Sequence, residues 1–332
     1  MKVLSVLCLT DHGKHSKENS VYAILREIQR HPFCSNVYVA SRSNTKNKSF
    51  FEDMDFSAIH GIKVDESFDF DPSAKLFIEN TEVLECDNFD IIFLRLPRPI
   101  TDHFLTKLSS NFHDKAIINN PLGIIETSSK AFLLNVPGLC PPMKLCKSKA
   151  EIITFCSERA TVLKPLKEYG GKGIVCVINQ KVSNGDEEYD LNTYLESVED
   201  ILHNEGLLAM KYLKNVSNGD KRLLVVDGKI LAASLRIPAK DSWLCNVAQG
   251  GLSVPSEPTS EEYLIAERLA PELKSRGILV CGIDTLEDDD GKRVLSEINT
   301  LSIGGFPQAE KQTGRPIIKE FVDKIFEYAS GY

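Results

Sequence analysis

Near its C-terminus the chain reads VLSEINTLSIGG, residues 294–305, and places a carboxylate and an amide, Glu297 and Asn299, two positions apart at the end of an apolar run. Positions i and i+2 of a strand face the same way, so the two side chains project together. Upstream, ILVCGIDTL (278–286) is a second apolar run, and it carries Asp284. The acidic stretch from Glu287 to Asp290, followed by Gly291, reads as the turn joining the two runs. Facing residues of paired antiparallel strands lie about 5 Å apart, so Asp284, Glu297 and Asn299 can converge. Hard oxygen donors of this kind suit Mg²⁺, which takes one or two carboxylates together with substrate phosphates. A solvated hairpin face would use the same residues and bind nothing.

A second feature is LKPLKEYGGKG (163–173), where Lys164 precedes Gly170, Gly171 and Gly173. Glycines let a backbone approach phosphate oxygens and offer N–H donors. The stretch lacks the Gly-Lys-Ser/Thr ending of a Walker loop and is not the dinucleotide fingerprint, so alone it is equally a flexible hairpin tip. Cations follow on strands: Asp220 and Arg222 share a face in NGDKRLLVVDG, and Arg236 lies on the returning strand in LRIP. Lys130 falls in ETSSKAFLL, a helical pattern, and Asn246 precedes VAQGG. Each residue singly is ordinary surface; together they suit a bound polyphosphate whose developing charge arginines would neutralise. His12 and His15 have an H-x-x-H spacing but no further ligand cluster, so zinc is not the reading.

The elements that must position these groups alternate. KVLSVLCL (2–9), SVYAILREIQR (20–30) and NVYVA (36–40) read as strand, amphipathic helix, strand, the opening of an α/β parallel sheet. DIIFLRLP and KAIINNP add strands, and 41–88 carries no clear period. Residues 160–178 form a hairpin with the glycine tip, 191–204 a helix, and 207–213 a strand. Asp227-Gly228 joins two alternating runs as a hairpin. A helix over 260–277 ends at Gly277, and a last helix covers about 315–329.

With 39 Lys and Arg against 47 Asp and Glu, the net charge is −8, which argues against a general nucleic-acid or anionic-membrane binder. No run approaches the roughly 20 apolar residues of a membrane span, and the N-terminus reads as a first strand and not as a signal peptide. The nine scattered cysteines fit reduced thiols in a cytoplasmic protein.

This set of motifs resembles the ATP-grasp superfamily, and within it the bacterial glutathione synthetases. LKPL with its glycines, NGDKRLLVVDGK, RIP, NVAQGG and GIDTL…LSEIN stand in that family's order and spacing, and LRLPRP and INNP are similar to its counterparts. The resemblance implies a three-lobed ATP-grasp fold: a Rossmann-like substrate domain over 1–120, a central lid subdomain over 121–206 and a C-terminal catalytic subdomain over 207–332. It implies an ADP-forming ligase that joins a carboxylate to an amine through an acyl phosphate, with ATP as co-substrate and Mg²⁺ or Mn²⁺ as metal. ATP would be held by Lys130, Lys164, Gly170, Gly171, Gly173, the hinge Lys211, Tyr212 and Leu213, and Asp220 at the ribose. Asp284, Glu297 and Asn299 would hold the metal. Arg222, Arg236 and Asn246 would surround the transferred phosphate, and Ser20, Arg95 and Ser302 would touch the acid or amine. Small-molecule substrates, no nucleic acid and no membrane follow, and homo-oligomers are common in the family.

The chain departs from the pattern in three places, one of them GGFPQAEKQTG (304–314), which differs from the usual ending. Leu244 stands where the family has an arginine before the N-x-x-x-GG block, with Lys240 a nearby cation, and Thr300-Leu301-Ser302-Ile303 replaces Val-Thr-Ser-Pro. ATP handling is therefore expected intact, with γ-glutamylcysteine and glycine as first candidates for substrates. The alternatives are a related ligase with another acid–amine pair and a nucleotide-binding regulator without ligase activity.

Overall fold

The computed structural model describes residues 2–168, 170–185, 187–238 and 252–331. Asn246, Leu244 and Lys240 lie outside the described residues. Three sheets follow one another along the chain. The first is built from β1 (Leu4–Thr10), β2 (Cys34–Ser41), β3 (Ala58–Lys63), β4 (Glu82–Glu85), β5 (Ile91–Leu94) and β6 (Ala116–Ile118), in the order β4-β3-β2-β1-β5-β6. β2, β1, β5 and β6 run parallel. Every residue of β1 is buried, as a strand covered on both faces requires. The helix Val21–Arg30 covers one face with Val21, Ile24, Leu25 and Ile28, an apolar stripe at helical spacing. Part of the segment without a clear period becomes β3 and β4, an antiparallel extension on the β2 edge.

The middle sheet is antiparallel: β7 (Met143–Cys146), β8 (Thr161–Pro165), β9 (Val175–Ile178), β10 (Lys181–Ser183), β11 (Glu188–Asp190) and β12 (Leu207–Lys211), ordered β11-β10-β9-β8-β12-β7. The hairpin with the glycine tip is present as β8 paired with β9. β12 lies between β8 and β7, so this sheet takes in residues on both sides of position 206. The single helix expected over 191–204 is two, Leu191–Ser197 and Glu199–Asn204, broken at Val198, whose backbone leaves the helical region.

The third sheet is β15-β14-β13-β16-β17: β13 (Asp220–Val226), β14 (Lys229–Ile237), β15 (Leu252–Ser256), β16 (Val280–Glu287) and β17 (Arg293–Asn299), all antiparallel. Asp227 and Gly228 both have positive φ, 48° and 75°, the geometry of the two-residue turn that matches strand twist. Alternation gives the sheet two unlike faces. Leu223, Val225 and Ile283 pack with Ile265, Leu269 and Leu273 of the helix Ser260–Lys274 in one core. Lys221 and Thr285 point the same way. Lys221 Nζ donates to Glu262 Oε2 at 2.9 Å and to the Glu257 carbonyl at 2.8 Å, and Thr285 Oγ1 donates to Glu262 Oε1 at 2.5 Å. Glu262 also closes the capping box with Thr259 at the helix start.

Asn119, just past β6, joins the first sheet to the third. Its amide donates to the Val280 and Thr300 carbonyls, both at 2.7 Å, and accepts from the Leu279 and Val280 N–H groups at 2.8 and 3.0 Å. This places the end of β17, and so Asn299, against the N-terminal sheet. Among the described residues no helix is long and apolar enough to cross a membrane.

The Lys221–Glu262 pair is buried at both ends, with side chains 5% and 0% exposed. Lys221→Met leaves Glu262 charged and without its cation, and should cost about 3–5 kcal/mol in urea unfolding. The double variant Lys221→Met with Glu262→Gln should recover most of that loss; a double variant as unstable as the single one would show that the pairing is not what Lys221 contributes.

Candidate active site

The other face of the third sheet collects the sequence candidates. In the ladder Arg222 lies opposite Asp284, Asp220 opposite Arg236, Asp284 opposite Glu297, and Gly282 opposite Asn299. Alternation then puts Asp220, Arg222, Arg236, Asp284, Glu297 and Asn299 on one side. Asp284 is the hub. It accepts from Arg222 Nε, and from Arg222 Nη2 at 2.7 Å; Arg236 Nη2 lies 3.1 Å away, and the Asn299 amide donates at 3.3 Å. Asp220 takes Arg236 Nε at 2.7 Å in a second forked pair. In this conformation both Asp220 oxygens are therefore bonded to an arginine, although the motif comparison assigned the residue to a ribose.

Burial alone would push the Asp284 carboxyl up. The Arg222 and Arg236 guanidiniums overcome it and hold the group down to about 2. Asp220 moves the opposite way, raised by burial and by the negative charge of Asp284 against the pull of Arg236. Gly282 has a steric duty: a Cβ there would sit 3.1 Å from Arg222 Cδ and Nη1, so glycine lets the guanidinium lie across β16 and reach Asp284.

Two lysines close the site from the middle of the chain. Lys164, buried on β8, donates to Ser296 Oγ at 3.3 Å and lies 3.5 Å from the Ser296 carbonyl. The β16–β17 register slips between Asp284 and Thr285, which leaves Ser296 as the extra residue of a bulge. Bulges re-aim a side chain next to active sites; this one turns Ser296 toward the neighbouring lobe. Burial lowers the Lys164 pKa, with Lys130 adding to the effect and Glu297 opposing it. Lys130 begins a 3₁₀ turn, Lys130–Asn135, and its ammonium lies 3.6 Å from Glu297 Oε1 and bonds the Glu168 carbonyl. Between β8 and β9, Gly170, Gly171 and Gly173 have φ of 66°, 82° and 70°, conformations open to glycine.

The substrate candidates meet at the seam between the first and third sheets. Arg95, at the end of β5, is buried; its Nη1 donates to the Ile303 carbonyl at 2.6 Å and its Nη2 to Ser20 Oγ at 2.8 Å. Burial lowers its pKa to about 10. Ser302 Oγ donates to the Leu96 carbonyl at 2.6 Å. The motif that differs from the family pattern is thus stitched to the strand end that carries Arg95.

Sequence reasoning missed one role. The acidic turn at 287–290 does close the β16–β17 hairpin, and it also clasps the segment after β12. Asp289 Oδ2 pairs with Lys211 Nζ at 2.8 Å, and its Oδ1 accepts the Lys214 N–H at 2.9 Å. Lys211, Tyr212 and Leu213 are thereby tied to the hairpin that carries Asp284. The Tyr212 N–H donates to the Ala160 carbonyl at 2.9 Å. No local signal in the sequence pairs Asp289 with Lys211, because 78 positions separate them. His12 and His15 are hydrogen-bonded to Ser41, and to Thr10 and Tyr22. No group of three or more His, Cys, Asp or Glu gathers as a metal cage among the described residues.

Asp284, Glu297 and Asn299 therefore form a hard oxygen set on one face, and the guanidinium pair keeps its buried carboxylate ionised. These three are the residues that would hold a hard cation such as Mg²⁺ together with a polyphosphate, and in this conformation both Asp284 oxygens are bonded to guanidiniums. Residues 129–314 match the ATP-grasp domain of the prokaryotic glutathione synthetases. The chain is 27% identical to the glutathione synthetase of Agrobacterium fabrum over 330 residues, 98% of this chain and 97% of that one. It is 31% identical to the glutathione synthetase of Rhodopseudomonas palustris over 242 residues, 72% of this chain and 73% of that one. Among solved structures it superposes on the D-cycloserine synthetase DcsG with a TM-score of 0.66 at 13% identity, covering 98% of this chain and 99% of that one. It also superposes on the ATP-grasp ligase PsnB, complexed with minimal precursor, Mg and ADP, with a TM-score of 0.58 at 13% identity over 98% of both chains. Site, fold and sequence agree: the chain belongs to the prokaryotic glutathione synthetase family of ATP-grasp proteins, ATP-dependent, ADP-forming C–N ligases.

Proposed function

We propose that the chain joins γ-glutamylcysteine to glycine, with phosphorylation of the acid carboxylate to an acyl phosphate before the amine attacks. The observation that carries this reading is the shared face of β13, β14, β16 and β17, where Arg222 and Arg236 flank the oxygen set Asp284, Glu297 and Asn299. Full-length similarity to glutathione synthetases supports the choice of substrates.

In this reading Lys130 and Lys164 hold the ATP phosphates. Both ammonium groups face Glu297 or the Ser296 bulge, and a buried lysine gains most from a polyanion because water no longer screens it. Glycines 170, 171 and 173 let the β8–β9 connection approach the phosphates. Since the Tyr212 amide is already bonded to Ala160, the Leu213 N–H is the donor we assign to adenine, with the Lys211–Asp289 pair fixing the segment. Asp284, Glu297 and Asn299 would hold Mg²⁺, which would offset negative charge on the phosphates. Arg222 and Arg236 lie where charge develops on the transferring group and stabilise it by preorganised donation. Arg95 and Ser20 anchor the acid, because a buried guanidinium bonded to a carbonyl and a hydroxyl gains from a carboxylate. Ser302 orients the same seam. An acyl phosphate reacts with water, so enclosure between lobes protects it.

ADP release should require γ-glutamylcysteine and glycine together, give a tripeptide mass, stop on chelation and resume with added Mg²⁺. Hydroxylamine in place of glycine should trap the acid as its hydroxamate; coupling without any trapped hydroxamate would count against the acyl phosphate. ADP release driven only by some other acid would end the γ-glutamylcysteine assignment.

Two substitutions separate the roles of the carboxylates. Glu297→Gln should keep the folded circular dichroism spectrum and lose on the order of 100-fold in kcat. Asp284→Asn removes the shared partner of two buried guanidiniums and should also cost about 3–5 kcal/mol in unfolding free energy. Equal stability of the two variants would show that the arginine pair does not depend on Asp284.

A further inference from the structure

A cavity of about 340 Å³ lies between the helix Phe306–Thr313 and the site face of the third sheet. Arg222 and Arg236 form one end. Leu224, Ala232 and Ala233 line its apolar part, and Gln308 and Gln312 line its helix side. The two glutamines are four positions apart, so they share one helix face. Among the described residues the lining holds no carboxylate and no lysine. The bonds from both guanidiniums use Nε and Nη2; among the described residues Nη1 of neither takes part in a hydrogen bond. The Gln308 side chain donates to the Glu18 carbonyl at 3.3 Å, whereas the Gln312 side chain makes no hydrogen bond among the described residues.

A cavity with guanidinium N–H donors at one end, each guanidinium already paired with Asp284 or Asp220, small apolar side chains beside them and an unengaged amide opposite suits a small molecule with a carboxylate and a polar tip. Size narrows it further. At about 30 Å³ of liquid volume per water-sized group, the five heavy atoms of glycine fill on the order of 150 Å³. That is less than half of the space that the described residues enclose. We propose that this cavity takes the amine co-substrate and extends its range beyond glycine to α-amino acids with a short polar side chain, such as L-serine, with Gln312 as a specificity-determining residue. The inference rests on the ligase reading above and deepens it. The carboxylate of the amine faces the two Nη1 groups. Its nitrogen lone pair forms the C–N bond to the acyl carbon, the C–O bond to phosphate breaks onto the departing phosphate, and that phosphate accepts the proton lost from nitrogen. The departure of Thr300–Ile303 and Gly304-Gly305 from the family pattern lies on the segment that leads into this helix.

The full chain is assayed with ATP, Mg²⁺ and saturating γ-glutamylcysteine against glycine, L-serine and glycinamide, with products read by mass. Serine should be used within tenfold of glycine in kcat/KM, and glycinamide, which lacks the carboxylate, should fall at least 100-fold. Gln312→Phe, at a half-buried helix position, should raise the KM for serine at least tenfold over that for glycine, with the KM values for ATP and γ-glutamylcysteine unchanged. Glycine as the sole amine used, or a Gln312→Phe effect on γ-glutamylcysteine in place of the amine, would overturn the proposal. Calorimetry with glycine and serine, in Mg²⁺ and a non-hydrolysable ATP analogue, separates the two readings. Serine binding that Gln312→Phe abolishes, with γ-glutamylcysteine inert, removes glutathione synthesis and supports the cavity assignment; absence of serine binding to the unmodified chain overturns it.

Discussion

The site depends on one buried carboxylate shared by two guanidiniums. Removing Asp284 from water is costly, and Arg222 and Arg236 more than offset that cost, so the group stays ionised down to about 2. The arrangement constrains its neighbours. Arg222 lies against β16 at residue 282, where a Cβ would sit 3.1 Å from its Cδ and Nη1 and push the guanidinium aside by a few tenths of an ångström. Arg236 is aligned by its fork to Asp220, and Asn299 by its bond to Asp284. A buried pair is weak evidence for stability, but the forked Nε and Nη2 bonds fix the orientation of both guanidiniums. Such placement costs no reorganisation when charge develops.

The sheet separates two electrostatic tasks by alternation. Lys221 and Arg222 are adjacent in sequence and opposite in direction. Lys221 is consumed by Glu262 and the helix start, where it secures the sheet to its covering helix. Arg222 faces the site. A shift of β13 by one residue would exchange them, putting an arginine into the apolar interface and removing the partner of Asp284. The core contacts of Leu223 and Val225 on the Lys221 side oppose that shift. Packing on one face thus determines the chemistry available on the other.

Much of this was legible because its causes are local. Two-residue spacing predicted that Glu297 and Asn299 share a face, and Asp227-Gly228 announced the β13–β14 hairpin. The ladder supplied the convergence of Asp284 with Glu297. What escaped depends on long-range contact. Nothing near Ser296 announces a bulge, because the slip is a property of the β16–β17 pair. The segment 41–88 showed no period because part of it forms an added edge of short strands and turns. The helix expected over 191–204 broke at Val198, where apolar spacing continues through a change in backbone direction.

The Asp289 clasp gives the fold a connection that neither motif contains by itself. One hairpin, β16–β17, carries Asp284, Glu297 and Asn299 along its strands and Asp289 in its turn. Asp289 grips Lys211 and the Lys214 amide, where the chain leaves the middle sheet for the third. At its other end the same hairpin meets Asn119, which binds backbone groups of Leu279, Val280 and Thr300. It reaches the middle sheet again through Ser296, whose hydroxyl accepts from Lys164 on β8. A displacement of the middle sheet is therefore felt at the oxygen set through a short, hydrogen-bonded path and not through a flexible linker. The Lys211–Asp289 pair is partly exposed and worth little as an isolated ion pair, so its contribution is positional: it fixes the register between the segment after β12 and the hairpin that holds the carboxylates.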